Sequence, residues 1–141
     1  TRIRAPFINK EQFYFKIYKK GLFSDVGKAL GMQDIVVGHD SFDEAYIIQG
    51  NLQEKVIQLF SNEAIRNHIM AQPRMRLEIK TGEGLFGPQF REDENELYFL
   101  VVGVIKDIDL LKGLFELFAE VLDGLEVIGC ADQMAPRVQL Y

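Results

Sequence analysis

The residues of this chain whose types and spacing could do chemistry are concentrated in one short segment. Residues 38–44 read Gly-His-Asp-Ser-Phe-Asp-Glu, in which His39, Asp40 and Asp43 offer one imidazole and two carboxylates. Such groups are ligands of divalent metals and partners in general acid–base catalysis. The segment therefore supports one hypothesis, a metal-dependent or acid–base hydrolase that uses His39, Asp40 and Asp43.

Other properties of the same segment favour a surface turn. Successive residues of an extended chain point to opposite sides, so the three side chains need not converge. Ser41 has His39 and Asp43 where a nucleophile elbow requires glycines. His68 is the only other imidazole, and no complete set of catalytic groups can be assembled. The sequence therefore favours a non-enzymatic binding or protein-interaction module, with no catalytic residue and no cofactor assigned.

A second motif, Gly-Glu-Gly-Leu-Phe-Gly over residues 82–87, matches the glycine spacing of nucleotide-binding loops. A strand-like run precedes it, but Pro88 and an acidic stretch follow where a dinucleotide-binding turn opens a helix. A kinase-type loop would require a strand lysine, a catalytic aspartate loop and a metal-binding aspartate motif, and none follows. The motif therefore predicts a glycine-rich hairpin turn.

Composition and charge bound the class of protein. The chain has 141 residues, of which 48% are hydrophobic and 26% charged, as in an ordinary globular domain. Its single cysteine, Cys130, excludes an internal disulfide. The net charge of −5, without a clustered basic patch, argues against nucleic-acid binding. Residues 1–37 carry seven basic and three acidic side chains, a pattern that favours solvated strand faces and leaves contact with a membrane surface as the alternative. We expect a location in the cytoplasm or on the cytoplasmic face of a membrane.

The elements that must position these residues follow from hydrophobic periodicity. Strand-like runs cover 2–8, 12–19, 42–49, 75–81 and 97–105, with a turn at residues 9–11; helical patterns cover 22–30, 52–72 and 107–125. Asn51 is expected to cap the helix that follows it, Ser61-Asn62 marks a kink or a new cap within 52–72, and Asp107 or Asp109 is expected to cap the last helix. We expect a single α+β domain over residues 1–141, in which helices cover one face of a two-layer, mainly antiparallel sheet. The expected core contains Phe15, Ile47, Leu77, Phe99, Val101, Leu111, Phe115, Phe118 and Leu122.

The last helical pattern is apolar on nearly all sides. Its main stripe contains Ile108, Leu111, Phe115, Phe118, Leu122 and Leu125, and a second stripe contains Leu110, Leu114, Leu117 and Val121. If the first stripe covers the sheet, the second must contact either the helices at 52–72 or a second copy of the chain. The second stripe therefore predicts a homodimer as one of two solutions. An apolar small-ligand or lipid cavity between this helix and the sheet is a further hypothesis.

A longer pattern resembles known proteins. It consists of Gly38-x-x-x-Phe42-Asp43-x-x-Tyr46-Ile47-Ile48-x-Gly50-Asn51, followed by Val56-x-x-Leu59-Phe60. The pattern is similar to one in the soluble α+β domain of uncharacterised, membrane-associated bacterial proteins. The resemblance implies a setting near a membrane and no particular reaction. A structural role suffices for its residues, with Asp43 bonding the turn backbone and Phe42 and Tyr46 anchoring a strand.

Overall fold

The computed structural model of the protein describes residues 1–21, 33–72, 74–81, 94–101, 103–132 and 139–140. Within this part of the chain there are eight strands and four helices. The strands are β1 (Arg2–Asn9), β2 (Phe15–Lys19), β3 (Gln33–Asp34), β4 (Tyr46–Gly50), β5 (Met75–Thr81), β6 (Glu94–Val101), β7 (Ala131–Asp132) and β8 (Gln139–Leu140). The helices are α1 (Asp40–Ala45), α2 (Gln53–Phe60), α3 (Glu63–Met70) and α4 (Ile108–Val127). The helix predicted over 22–30 and the glycine turn predicted over 82–87 lie outside the described residues.

The strands form one sheet in the order β3-β4-β2-β5-β6-β1-β7, and β8 also pairs with β1. Every pairing among the described strands is antiparallel. β5 and β6 pair from Met75–Val101 to Thr81–Asn95, as the sequence predicted for the strands on either side of the glycine motif. The turn after β1 does not join paired strands. The Asn9 side chain accepts the Phe13 N–H at 3.0 Å, and it donates to the Phe13 carbonyl at 2.8 Å and to the Asn95 side chain at 2.9 Å. Through this turn the chain passes from β1, which pairs with β6, to β2, which pairs with β4 and β5.

Alternation along the strands separates an apolar face from a polar one. Ile3, Ile17, Ile48, Leu77 and Phe99 lie in one cross-strand row and are buried under the helices. Aromatic contacts join the two layers, with ring centroids 5.3 Å apart for Phe15 and Phe60 of α2 and 6.4 Å apart for Phe99 and Phe118 of α4. The predicted two-layer α+β fold, with helices on one face of an antiparallel sheet, is confirmed.

The orientation of α4 differs from the prediction. The side chains of Leu114, Leu117, Phe118, Val121 and Leu125 are fully buried, whereas Phe115 is 41% and Ile108 70% exposed. Three of the four residues assigned to the second stripe, Leu114, Leu117 and Val121, therefore pack inside the domain, where α4 contacts α2 and α3, and Leu110 is half-buried. The expected core is correct for Phe15, Leu77, Phe99, Val101 and Phe118, wrong for Phe115, and only partly correct for the half-buried Ile47, Leu111 and Leu122.

Two local predictions are also corrected. Residues 40–45 form a helix before β4 begins, so the strand predicted from Phe42 is too long. Asn51 does not cap α2, whose N-cap is Leu52. The Asn51 side chain instead accepts the Tyr14 N–H at 2.9 Å and donates to the Gln12 carbonyl at 2.8 Å, because the loop before β2 lies beside it. Asn62 and Asp107 do cap α3 and α4 through two backbone N–H groups each.

Candidate functional site

The histidine and carboxylates of residues 38–44 lie at the start of α1, and Asp43 has a structural role there. Its Oδ1 accepts the N–H of Val37, and its Oδ2 accepts those of Gly38 and His39, each at 3.0 Å. Gly38 has a φ of +90°, a conformation that L side chains rarely adopt. The carboxylate thus fixes a turn that only glycine enters without strain, as the sequence pattern suggested.

The three predicted ligands do not form a metal cluster. Both carboxylate oxygens of Asp43 accept hydrogen bonds from backbone N–H groups, and Asp40 is exposed at the first turn of α1. A protein metal site usually takes three or more side-chain ligands. Over the residues that the structure describes, no group of three or more His, Cys, Asp or Glu is placed to hold a metal ion. The hydrolase hypothesis therefore rests on the sequence pattern alone.

The second histidine bridges two helices. Nε2 of His68 on α3 lies 3.4 Å from a carboxylate oxygen of Glu120 and 3.7 Å from one of Glu116, both on α4. Nearby, the Gln72 side chain donates to the Leu110 carbonyl at 2.9 Å. These polar contacts join the C-terminal part of α3 to one flank of α4, so this flank is occupied within the chain.

The face of the sheet opposite the described helices carries a row of polar side chains that sequence reasoning missed. Cross-strand partners at one level of the sheet are, in order, Asp34, Gln49, Lys16, Glu78, Tyr98 and Arg4. Arg4 faces Glu96 at 3.8 Å, and Arg76 forms an ion pair with Glu78. Lys80 lies over the Tyr98 ring, with 3.9 Å between its Nζ and the ring centroid. This face is an ionic network in which opposite charges lie on the same strand, as for Arg76 and Glu78, or on neighbouring strands, as for Arg4 and Glu96.

Burial makes this network costly for its charged members. Glu78 and Glu96 are 5% and 4% exposed. Burial raises the pKa of Glu96, although the positive charges of Arg4 and Lys80 oppose the shift. Burial likewise lowers the pKa of Lys16, against the attraction of Glu78. Two basic residues of the segment that was considered for membrane contact, Arg4 and Lys16, thus lie beside internal carboxylates. Among the described residues of this segment, the exposed basic ones are Arg2, Lys10, Lys19 and Lys20.

One side of α4 is apolar and exposed, in contrast to the polar and buried face of the sheet. Ile108 and Phe115 are exposed, and Leu111 and Leu122 are half-buried beside them. On a helix, residues separated by three, four or seven positions share one side. These four residues, which we call the outer flank, thus form a continuous apolar strip along the side of α4 that is turned away from His68.

The apolar-ligand hypothesis required free space between α4 and the sheet. That region is filled by side chains of the described residues, with Phe118 packed edge-on against Phe99 and with Leu114, Leu117 and Val121 fully buried. Cys130 is also buried in this core, and burial raises the pKa of its thiol. A close-packed interior leaves the lipid hypothesis without structural support.

Comparisons with known protein families, curated proteins and solved structures found no match to this chain. The resemblance to membrane-associated bacterial proteins therefore stays a prediction. Among the described residues, no helix combines the length and apolarity needed to cross a membrane.

Proposed function

We propose that this chain is a non-enzymatic protein-interaction module that pairs with a second copy of itself through the outer flank of α4. The observation that carries the proposal is the exposure of Ile108 and Phe115, at 70% and 41%, on a helix whose opposite apolar side is fully buried in the domain core. Contiguous exposed apolar residues on a soluble domain mark interaction surfaces.

The spacing of the outer flank suits a two-fold axis. Ile108, Phe115 and Leu122 are separated by seven residues each, so an antiparallel pair centred on Phe115 sets Ile108 against the partner's Leu122. The same operation sets Leu111 against the small Ala119 of the partner subunit. An isologous pair needs only one self-complementary surface and is the commonest form of homo-oligomer.

Sedimentation velocity across a concentration series tests the proposal. We expect a concentration-dependent dimer for the native chain and a monomer for the double variant Ile108→Glu/Phe115→Glu. Val36→Glu is the matched control, because Val36 is 71% exposed but lies before α1. A native chain that stays monomeric at the highest soluble concentration would refute the proposal.

A cross-linking variant locates the axis. Phe115→Cys places a thiol on the proposed two-fold axis, where the same residue of both copies meets, and Cys130 is buried in each copy. Under mild oxidation we expect Phe115→Cys to give a disulfide-linked dimer and Ser61→Cys to remain unlinked. Equal linkage of both variants would show random collision and would rule out this axis.

A further inference from the structure

A groove separate from the outer flank lies between the C-terminal half of α4 and the turn that joins α2 to α3. Its volume is about 520 Å³, and its lining includes Leu59, Ala64, Glu120, Gly124 and Val127. Gly124 brings α4 close to α2, since a Cβ at this position would lie 2.9 Å from Leu59 Cδ1.

The lining is mostly apolar and its charge has one sign. Val127 is 86% exposed at the wall of the groove, and Leu59 is buried in its floor. Its charged side chains are Glu120 and Asp123, both acidic. The C-terminal end of α4 adds partial negative charge from its carbonyl groups. An apolar floor with an acidic side is complementary to a ligand that is both apolar and cationic.

One acceptor in this groove lacks a donor. Oε1 of Glu120 faces His68, but its Oε2 is buried without a hydrogen-bond partner in the described part of the chain. A buried carboxylate oxygen without a donor is costly. Lys55 cannot serve it where it stands, because its Nζ already donates to the Ile128 carbonyl at 2.6 Å.

We propose that this groove binds a basic, amphipathic segment of a partner protein. A lysine or arginine of that segment pairs with the carboxylates of Glu120 and Asp123, and its methylene stem and apolar neighbours pack against Leu59 and Val127. Long basic side chains suit such a place because their stems cover apolar surface while their charged ends remain polar. This surface is separate from the outer flank, so it goes beyond the proposed self-association.

The test uses a short fluorescent amphipathic Lys–Leu peptide and a Glu–Leu peptide of the same length and pattern, with binding followed by anisotropy. We expect the Lys–Leu peptide alone to bind, and to bind more weakly at higher salt. Glu120→Gln/Asp123→Asn should weaken binding by about tenfold or more, the loss expected for hydrogen bonds to charged groups. The control Asp40→Asn/Glu44→Gln makes the same change in net charge on α1 and should leave binding unchanged.

A steric pair of variants separates the groove from general charge attraction. Ala64 is exposed and lines the groove, so Ala64→Trp should fill it and abolish binding, whereas Asn67→Trp, exposed on the same helix outside the lining, should not. Thermal unfolding confirms that each variant is folded. Equal binding of the two peptides, or equal binding by Ala64→Trp and Asn67→Trp, would overturn the proposal. The Ile108→Glu/Phe115→Glu variant should bind the Lys–Leu peptide normally, so failure of the dimer and failure of the groove are distinguishable.

Discussion

The sheet face opposite the described helices and the outer flank of α4 both depart from a simple apolar-in, polar-out arrangement. On the sheet face, charged side chains such as Arg4, Glu78 and Glu96 are buried and lie beside opposite charges. On the flank, Ile108 and Phe115 are apolar and exposed. The buried charges of the sheet face therefore have opposite charges beside them within the chain, whereas Ile108 and Phe115 on the flank are open to solvent.

The largest expected effect separates the flank from the core of the same helix. Phe118 is fully buried against Phe99, so Phe118→Ala should lower the free energy of unfolding by about 3–5 kcal/mol. Phe115, three residues earlier, is partly exposed, so Phe115→Ala should cost less than about 1 kcal/mol in the monomer. Urea denaturation at low protein concentration measures both. Similar losses in the free energy of unfolding for the two variants would mean that Phe115 supports the fold as much as Phe118 does.

Breaking the sheet-face network should give the next largest effect. Arg4→Met leaves the Glu96 carboxylate buried beside an apolar side chain, which should cost about 2–4 kcal/mol at neutral pH. Replacing both partners, as Arg4→Met/Glu96→Met, should recover most of that loss, because no buried charge is then left unpaired. A double variant less stable than Arg4→Met would show that the pair itself stabilises the sheet.

Two glycines of α4 should respond in opposite directions to alanine. A Cβ at Gly113 would meet only the Gln72 side chain at 3.7 Å, an ordinary contact, so Gly113→Ala should stabilise the fold by about 0.5–1 kcal/mol through helix propensity. At Gly124 a Cβ would press on Leu59 and on Ile65 Cδ1 at 3.4 Å, and Gly124→Ala should be less stable than Gly113→Ala by about 1–2 kcal/mol. Chemical denaturation of the two variants measures this difference, and equal stabilities would mean that the packing of α4 on α2 and α3 tolerates a methyl group.

The smallest effect concerns pH. Burial raises the folded-state pKa of Glu96, so the native state holds this proton more tightly than the unfolded chain does. The resulting stabilisation is present below the unfolded-state pKa and is lost as pH rises through the raised folded-state pKa. The stability of the native chain relative to Glu96→Gln should therefore fall as pH increases from the unfolded-state value, and then level off. Urea denaturation of the two proteins at each pH measures this difference, and a difference independent of pH would contradict the prediction.

The sequence predicted what depends on neighbours along the chain. Alternating residues located β1, β2 and β5, and the side chains of Asn62 and Asp107 marked where two helices begin. The turn role of Asp43 was also predicted, because its three donors lie within six residues of it.

Long-range packing decided what the sequence left open. Both stripes of α4 are apolar enough to enter a core. Which stripe is buried depends on the position of α3, because Gln72 and His68 contact one side of α4. The ionic row on the sheet could not be predicted, because Lys16, Glu78 and Arg4 become neighbours only through a strand order that does not follow the sequence. Asn51 was misassigned for the same reason, since its bonding partners lie in a distant loop.

The position of β1 has a consequence for how the protein is made. Its main neighbour in the sheet is β6, so Arg2 pairs with Leu100 and Ile8 with Glu94, whereas β2 and β4 lie near each other in the sequence and pair directly. A growing chain that leaves the ribosome from its N-terminus can form the β2–β4 pair early, but β1 has no strand to join until β6 has emerged. Contacts between such distant residues also slow folding. Strand β1 is therefore made well before its partner β6, and until then its apolar residues Ile3, Ala5 and Phe7 lack the neighbours that bury them in the folded domain.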